Sequence, residues 1–125
     1  MSNRVTHFEI PADDPERNMQ FFKEAFGWTF RQDGDRPYWF AISGDASTPG
    51  INGAIMKKRV AGQPLVNSID VDDVDEACAK IEKAGGKIVI PKWHIPGFGF
   101  TATAFFRINA NGYSTQIIVF FYFSS

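Results

Sequence analysis

VTHFEIPADDPERNMQFFKEAFGW, residues Val5–Trp28, holds a strand, a turn, a helix and a helix stop in that order. From Val5 to Ile10 the side chains alternate, so Thr6, Phe8 and Ile10 share one face of a strand and Val5, His7 and Glu9 the other. Phe8 and Ile10 are natural core. The face with His7 and Glu9 meets either solvent or a polar cavity. Asp14-Pro15 starts a helix, because Asp caps free N–H groups and Pro at the first helical position loses none. Met19, Phe22 and Phe26 recur at helical spacing as one apolar stripe, and Gly27 supplies a left-handed stop.

Working outward, Trp28–Arg31 starts a strand, Gln32–Asp35 turns, Pro37–Ser43 is an aromatic strand and Ile51–Lys57 a fourth. In the third strand Tyr38 and Phe40 share one face and Trp39 and Ala41 the other; sequence does not say which faces the cavity. Lys58–Pro64 is a linker, and then the pattern restarts. Leu65–Val71 is a strand, Asp73 caps a second helix with Glu76 three residues on, and Val74, Cys78 and Ile81 form its stripe. Gly85-Gly86 ends that helix and Lys87–Pro91 is a strand. Pro91–Gly99, PKWHIPGFG, reads as a long aromatic loop, Phe100–Ile108 as a strand, Asn109–Gly112 as a turn and Tyr113–Phe123 as the last strand.

The halves match at an offset of sixty, His7 on Asn67, Glu16 on Glu76 and Lys23 on Lys83, while Gly27 matches Gly86 after a slip of one. Each half reads β-α-β-β-β, and a repeat on this scale implies two like units burying a common surface. The expected fold is α+β: two βαβββ modules, residues 3–58 and 64–123 of one domain spanning 3–123, forming a curved sheet cup with helices on the outside.

The chain has 125 residues, enough for one domain core, and 13 basic against 14 acidic residues. Its one basic run, Lys57–Arg59, is too short for a nucleic-acid partner. Cys78 is the single cysteine, so no intrachain disulfide forms; nothing near it in sequence activates it, and it reads as a small buried helix residue. The opening MSNRVTHFEI lacks a signal core, and IIVFFYF at Ile117–Phe123 is too short to span a bilayer, so a soluble cytoplasmic protein is expected. Thirteen Phe exceed what one small core needs and point to a pocket or a homodimer interface.

HFEIPADDPERNMQFFKEAFGW, PGINGAIM at Pro49–Met56, VDEACAKIEKAGGKIVIPK ending at Lys92 and IPGFG at Ile95–Gly99 resemble the vicinal oxygen chelate superfamily, which includes glyoxalase I, extradiol dioxygenases and bleomycin resistance proteins. The resemblance runs from Val5 to about Ile118 and implies the glyoxalase-like fold. It also implies one divalent metal (Zn, Ni, Fe or Mn) in the cup, held by two His and a Glu, which polarises two substrate oxygens. Carried over by position, His7 is the first-strand ligand, Asn67 stands where the second His would be, and Gln116, four residues after Gly112, stands where Glu is expected. That leaves His7 and Gln116 as metal ligands and a degenerate set, because amides substitute poorly for imidazole and carboxylate.

Glu9 and His94 are the acid/base candidates. His7, Asn67, Gln116, Tyr38, Trp93 and Phe98 are the ligand-binding candidates, with Trp93, His94 and Phe98 on a pocket rim. Each has a bland reading as an ordinary strand or crossover residue. Three functions compete. The first is a protein binding a small organic molecule in the cup. The second is a metal-dependent lyase, isomerase or dioxygenase using His7. The third is a drug-sequestering resistance protein, which a net charge of −1 supports least.

Overall fold

A computed structural model of the chain describes residues 3–105 and, for the backbone, 117–122. The elements are β1 (Val5–Ala12), α1 (Pro15–Phe26), β2 (Thr29–Gln32), β3 (Tyr38–Ile42), β4 (Gly53–Lys57), β5 (Val66–Asp70), α2 (Val74–Lys83), β6 (Lys87–Ile95), β7 (Gly99–Phe105) and β8 (Ile117–Tyr122). They divide into two compact units, residues 6–65 and residues 1–5 with 66–125, each with the order βαβββ. The α+β class follows from the duplicated pattern.

In the unit of residues 6–65 the strands lie in the order β2-β3-β4-β1. β3 runs antiparallel to both β2 and β4, and β1 is parallel to β4. The helix forms where its signals stand. Asp14 accepts from the Arg17 N–H at 3.2 Å, Pro15 opens the first turn, and Gly27 closes the last at φ 73°. A residue with Cβ would be strained at that φ. The apolar stripe packs through rings: Phe22 stacks on Trp28 with centroids 4.4 Å apart, and Trp28 meets Phe8 at 5.8 Å. Phe8 is therefore on the α1 side of the sheet, with Ile10 and the fully buried Ile55 beside it by register. Gly53 lies against Phe8, where a Cβ would stand 2.5 Å from both its ring and its carbonyl oxygen.

The other unit has the order β5-β8-β7-β6, with β5 parallel to β8 and the remaining pairs antiparallel. Asp73 accepts from the Glu76 N–H at 3.1 Å and caps α2. Val71, Val74, Ala102 and Ala104 form the buried core beneath α2, with Ile69, Ile81 and Cys78 against them. Burial, helped by Asp75 and Glu82, raises the Cys78 pKa, as suits an inert helix thiol.

Two features of this unit depart from the sequence reading. The segment expected as a long loop at Pro91–Gly99 is strand as far as Ile95, and only residues 96–98 turn, closed by Phe98 N–H on Ile95 C=O at 3.0 Å. The ladder is irregular on both sides of Ile90, and in the shift between Ile90 and Trp93 Pro91 has no N–H to donate. The second departure concerns the repeat. The N-caps Asp14 and Asp73 are fifty-nine residues apart, as are the paired core residues Ile10 and Ile69. A slip of one exchanges the faces of a strand. Asn67, two residues before Ile69, thus lies on the α2 side of β5, whereas His7 is on the helix-free side of β1. Ser68 takes the position of Glu9, and Val66 that of His7.

Candidate functional site

The helix-free face of the unit of residues 6–65 gathers a polar cluster. Alternation along β1 sends His7 and Glu9 to this face. Register then supplies their neighbours: Glu9 pairs with Ala54, Ala54 with Phe40, and Phe40 with Arg31, while Tyr38 pairs with Met56. The register thus decides what alternation left open, and Tyr38 and Phe40 face the site. The Tyr38 hydroxyl donates to Glu9 Oε2 at 2.6 Å and lies 2.9 Å from His7 Nε2. His7 Nε2 and Glu9 Oε2 are 3.9 Å apart. A phenol has one proton, and here it is given to the carboxylate; the phenol oxygen accepts from the Nε2–H tautomer of His7.

The electrostatics agree with that arrangement. Burial lowers the His7 pKa, and the nearby Glu9 charge opposes this only in part, so the imidazole is neutral near pH 7. Burial, the Glu9 charge and the Glu9 hydrogen bond together drive the Tyr38 pKa far above its ordinary value, and the phenol keeps its proton. The chain of donors ends on a carboxylate. Glu9 Oε1 has no hydrogen-bond partner in the protein among the described residues, while its side chain remains 19% exposed. A ligand reaching it would meet an oriented acceptor near the half-buried Phe40 ring.

The structure brings together His7, Glu9 and Tyr38 of the expected site residues. Asn67, Trp93, His94 and Phe98 belong to the other unit. There Asn67 is on the α2 side, and exposed His94 shares that side, its ring 5.1 Å from Phe100. Trp93, 42% exposed, pairs with Thr101 on the opposite face, and Phe98 sits in the 96–98 turn. Gln116 lies outside the described residues. Arg31 was not among the expected residues; its guanidinium stands 5.2 Å from the centroid of the Phe40 ring. The signal was present as a cation alternating with Phe30 in β2, but only the strand register puts it on this face.

The divalent metal implied by the resemblance can be tested against these donors. Among the described residues no three His, Cys, Asp or Glu side chains come together. The two nearest, His7 and Glu9, both engage the Tyr38 hydroxyl, and a phenol held protonated is a poor ligand. Among the described residues these two are one donor short of the three that catalytic sites use.

The fold and the sequence agree on the class. The Glyoxalase/Bleomycin resistance protein/Dioxygenase superfamily model matches residues 4–107, and the chain belongs to that superfamily. It is similar to a glyoxylase-like domain-containing protein of Didymella fabae, at 26% identity over 80% of this chain and 85% of that one. Two solved structures are alike in fold. A superfamily member from Vibrio splendidus 12B01 shows 13% identity and TM-score 0.63, with 95% of this chain and 97% of that chain covered. The Streptomyces coelicolor methylmalonyl-CoA epimerase in complex with 2-nitronate-propionyl-CoA shows 12% identity and TM-score 0.62, with 100% and 97% covered.

Proposed function

We propose that this chain is a binding member of its superfamily and holds a small organic molecule on the face of β1, β3 and β4 that carries His7, Glu9 and Tyr38. The observation behind this reading is the hydrogen-bond chain from His7 through Tyr38 to Glu9. A site arranged to hold a metal leaves its donors convergent and open. Here the donors satisfy each other and leave one carboxylate oxygen for a ligand, beside apolar surface that suits an organic body. A ligand bound at this face raises the melting temperature with its concentration. The test is a thermal-shift screen of aromatic and aliphatic small molecules, repeated on Tyr38→Phe. Hits that weaken in the variant support the reading; a panel that never moves the melting temperature of the native chain defeats it.

A second reading, a metal-dependent lyase, isomerase or dioxygenase, is favoured by one observation: His7 and Glu9 are 3.9 Å apart and could supply two donors. Elemental analysis and titration with zinc, nickel, iron and manganese decide it. Stoichiometric metal that disappears in His7→Ala would replace the binding reading. The proposal includes a homodimer, supported by the aromatic surface of α1, where Phe21 and Phe26 are 58% and 65% exposed. Sedimentation equilibrium tests it.

A further inference from the structure

We infer that the ligand of this face is amphoteric, with a protonated amine seated on Glu9, an apolar body against the Phe40 ring, and an anionic group held by Arg31. This rests on the binding face proposed above and adds the ligand class. One register row crosses all four strands of the unit: Arg31 on β2, Phe40 on β3, Ala54 on β4 and Glu9 on β1. Three strand steps separate the two charged residues, about 14 Å between Cα atoms. The Arg31 guanidinium shortens that distance by leaning over the Phe40 ring.

The two charges do not neutralise each other. No ion pair joins Arg31 to a carboxylate among the described residues, and Glu9 meets only Tyr38 and the His7 imidazole. A half-buried carboxylate without a counter-charge is costly, and a bound ammonium relieves that cost. Ala54, between the two ends of the row, is fully buried, so the apolar contact falls to the half-buried Phe40 ring beside it. The Arg31 fork suits a carboxylate or phosphonate, which it can grip with two parallel N–H bonds.

Calorimetry with four matched probes tests this: para-aminomethylbenzoate, benzylamine, benzoate and benzyl alcohol, against the native chain, Arg31→Gln and Glu9→Gln. The zwitterion should bind about ten- to a hundredfold tighter than either singly charged probe, as charged hydrogen bonds would give. Arg31→Gln, at an exposed position, should reduce the zwitterion to the affinity of benzylamine and leave benzylamine unchanged. Glu9→Gln should remove the preference for the amine. If the singly charged probes match the zwitterion in the native chain, or Arg31→Gln leaves all four affinities unchanged, the ligand class is wrong while the binding face stands. If none of the four binds, the ligand class is wrong; if the wider screen also fails, both readings fall.

Discussion

The two βαβββ units have the same element order and use their helix-free faces differently. In residues 6–65 that face holds polar groups that satisfy one another, from His7 through Tyr38 to Glu9. In the other unit Ser68 occupies the position of Glu9, and Ser68 Oγ, Asp70 Oδ1 and Thr101 Oγ1 are buried without a hydrogen-bond partner in the protein among the described residues. Ser68 and Thr101 are 0% and 3% exposed. A duplicated scaffold thus carries an oriented network in one half and unmet hydrogen-bonding demand in the other. In the unit of residues 66–105 the apolar cluster of Val71, Val74, Ala102 and Ala104 lies on the opposite side of the sheet, under α2.

That contrast can be broken from the helix side first. Gly53→Ala places a methyl 2.5 Å from the Phe8 ring and from its backbone oxygen. A backbone atom cannot yield cheaply, so a loss of about 3 kcal/mol is expected, read from urea melts. Gly86→Ala in the other unit meets the Ile81 Cγ2 methyl at 2.5 Å and the Phe105 oxygen at 3.0 Å. That methyl moves only with χ1, which is stiff for a β-branched residue on a helix, but the backbone contact is looser than at Gly53, and the expected cost is about 2 kcal/mol. Equal costs would show that the two backbones are equally rigid.

Next comes the network itself. Tyr38→Phe removes the group that both His7 and Glu9 use and should cost about 2 kcal/mol, since one of those bonds is to a carboxylate. Ser68→Ala should cost nothing. If the two substitutions proved equivalent, the difference between the faces would carry no energy.

The pH dependence sharpens the same contrast. The His7 pKa in the folded chain is below its ordinary value of 6.5. The unfolded chain therefore takes up a proton first as pH falls. Stability from this group is full above about pH 6.5 and is lost as pH drops from there through the lower folded value. The slope in that window is at most about 1.4 kcal/mol per pH unit, and His7→Gln should flatten it. An unchanged slope in the variant would assign the effect to other groups.

A gain in place of a loss is expected at the third strand of the unpartnered face. Thr101→Val replaces a buried hydroxyl by a methyl of like shape and should stabilise the chain by about 1 kcal/mol, or about 4 °C in a thermal melt. A loss of stability instead would mean that the hydroxyl is bonded in solution.

Much of the fold was legible because its signals are local. Asp14-Pro15, Gly27 and Asp73 act through their own backbone neighbours, and the alternation of Phe8 with His7 and Glu9 is a property of one strand. The reading failed where it relied on likeness between exposed residues. Glu16 and Glu76, and Lys23 and Lys83, match at sixty, yet they sit on helix surfaces that tolerate drift, while the caps and core residues match at fifty-nine. That single residue turned Asn67 to the wrong face. The long loop was misread for a related reason: Pro91 and Gly97 mark irregular backbone, and a strand with bulges has the same signature.

Sequence alone determined the duplicated βαβββ order, the helix ends, the faces of β1 and the place of His7 and Glu9 on one of them. Tertiary structure decided which side of β3 meets that face. It therefore decided that Tyr38 joins His7 to Glu9 and that Arg31, Phe40 and Ala54 complete the row. The physical reason is that alternation is written within a strand, whereas register between strands joins residues far apart in the chain, such as Glu9 with Ala54 and Ala54 with Phe40.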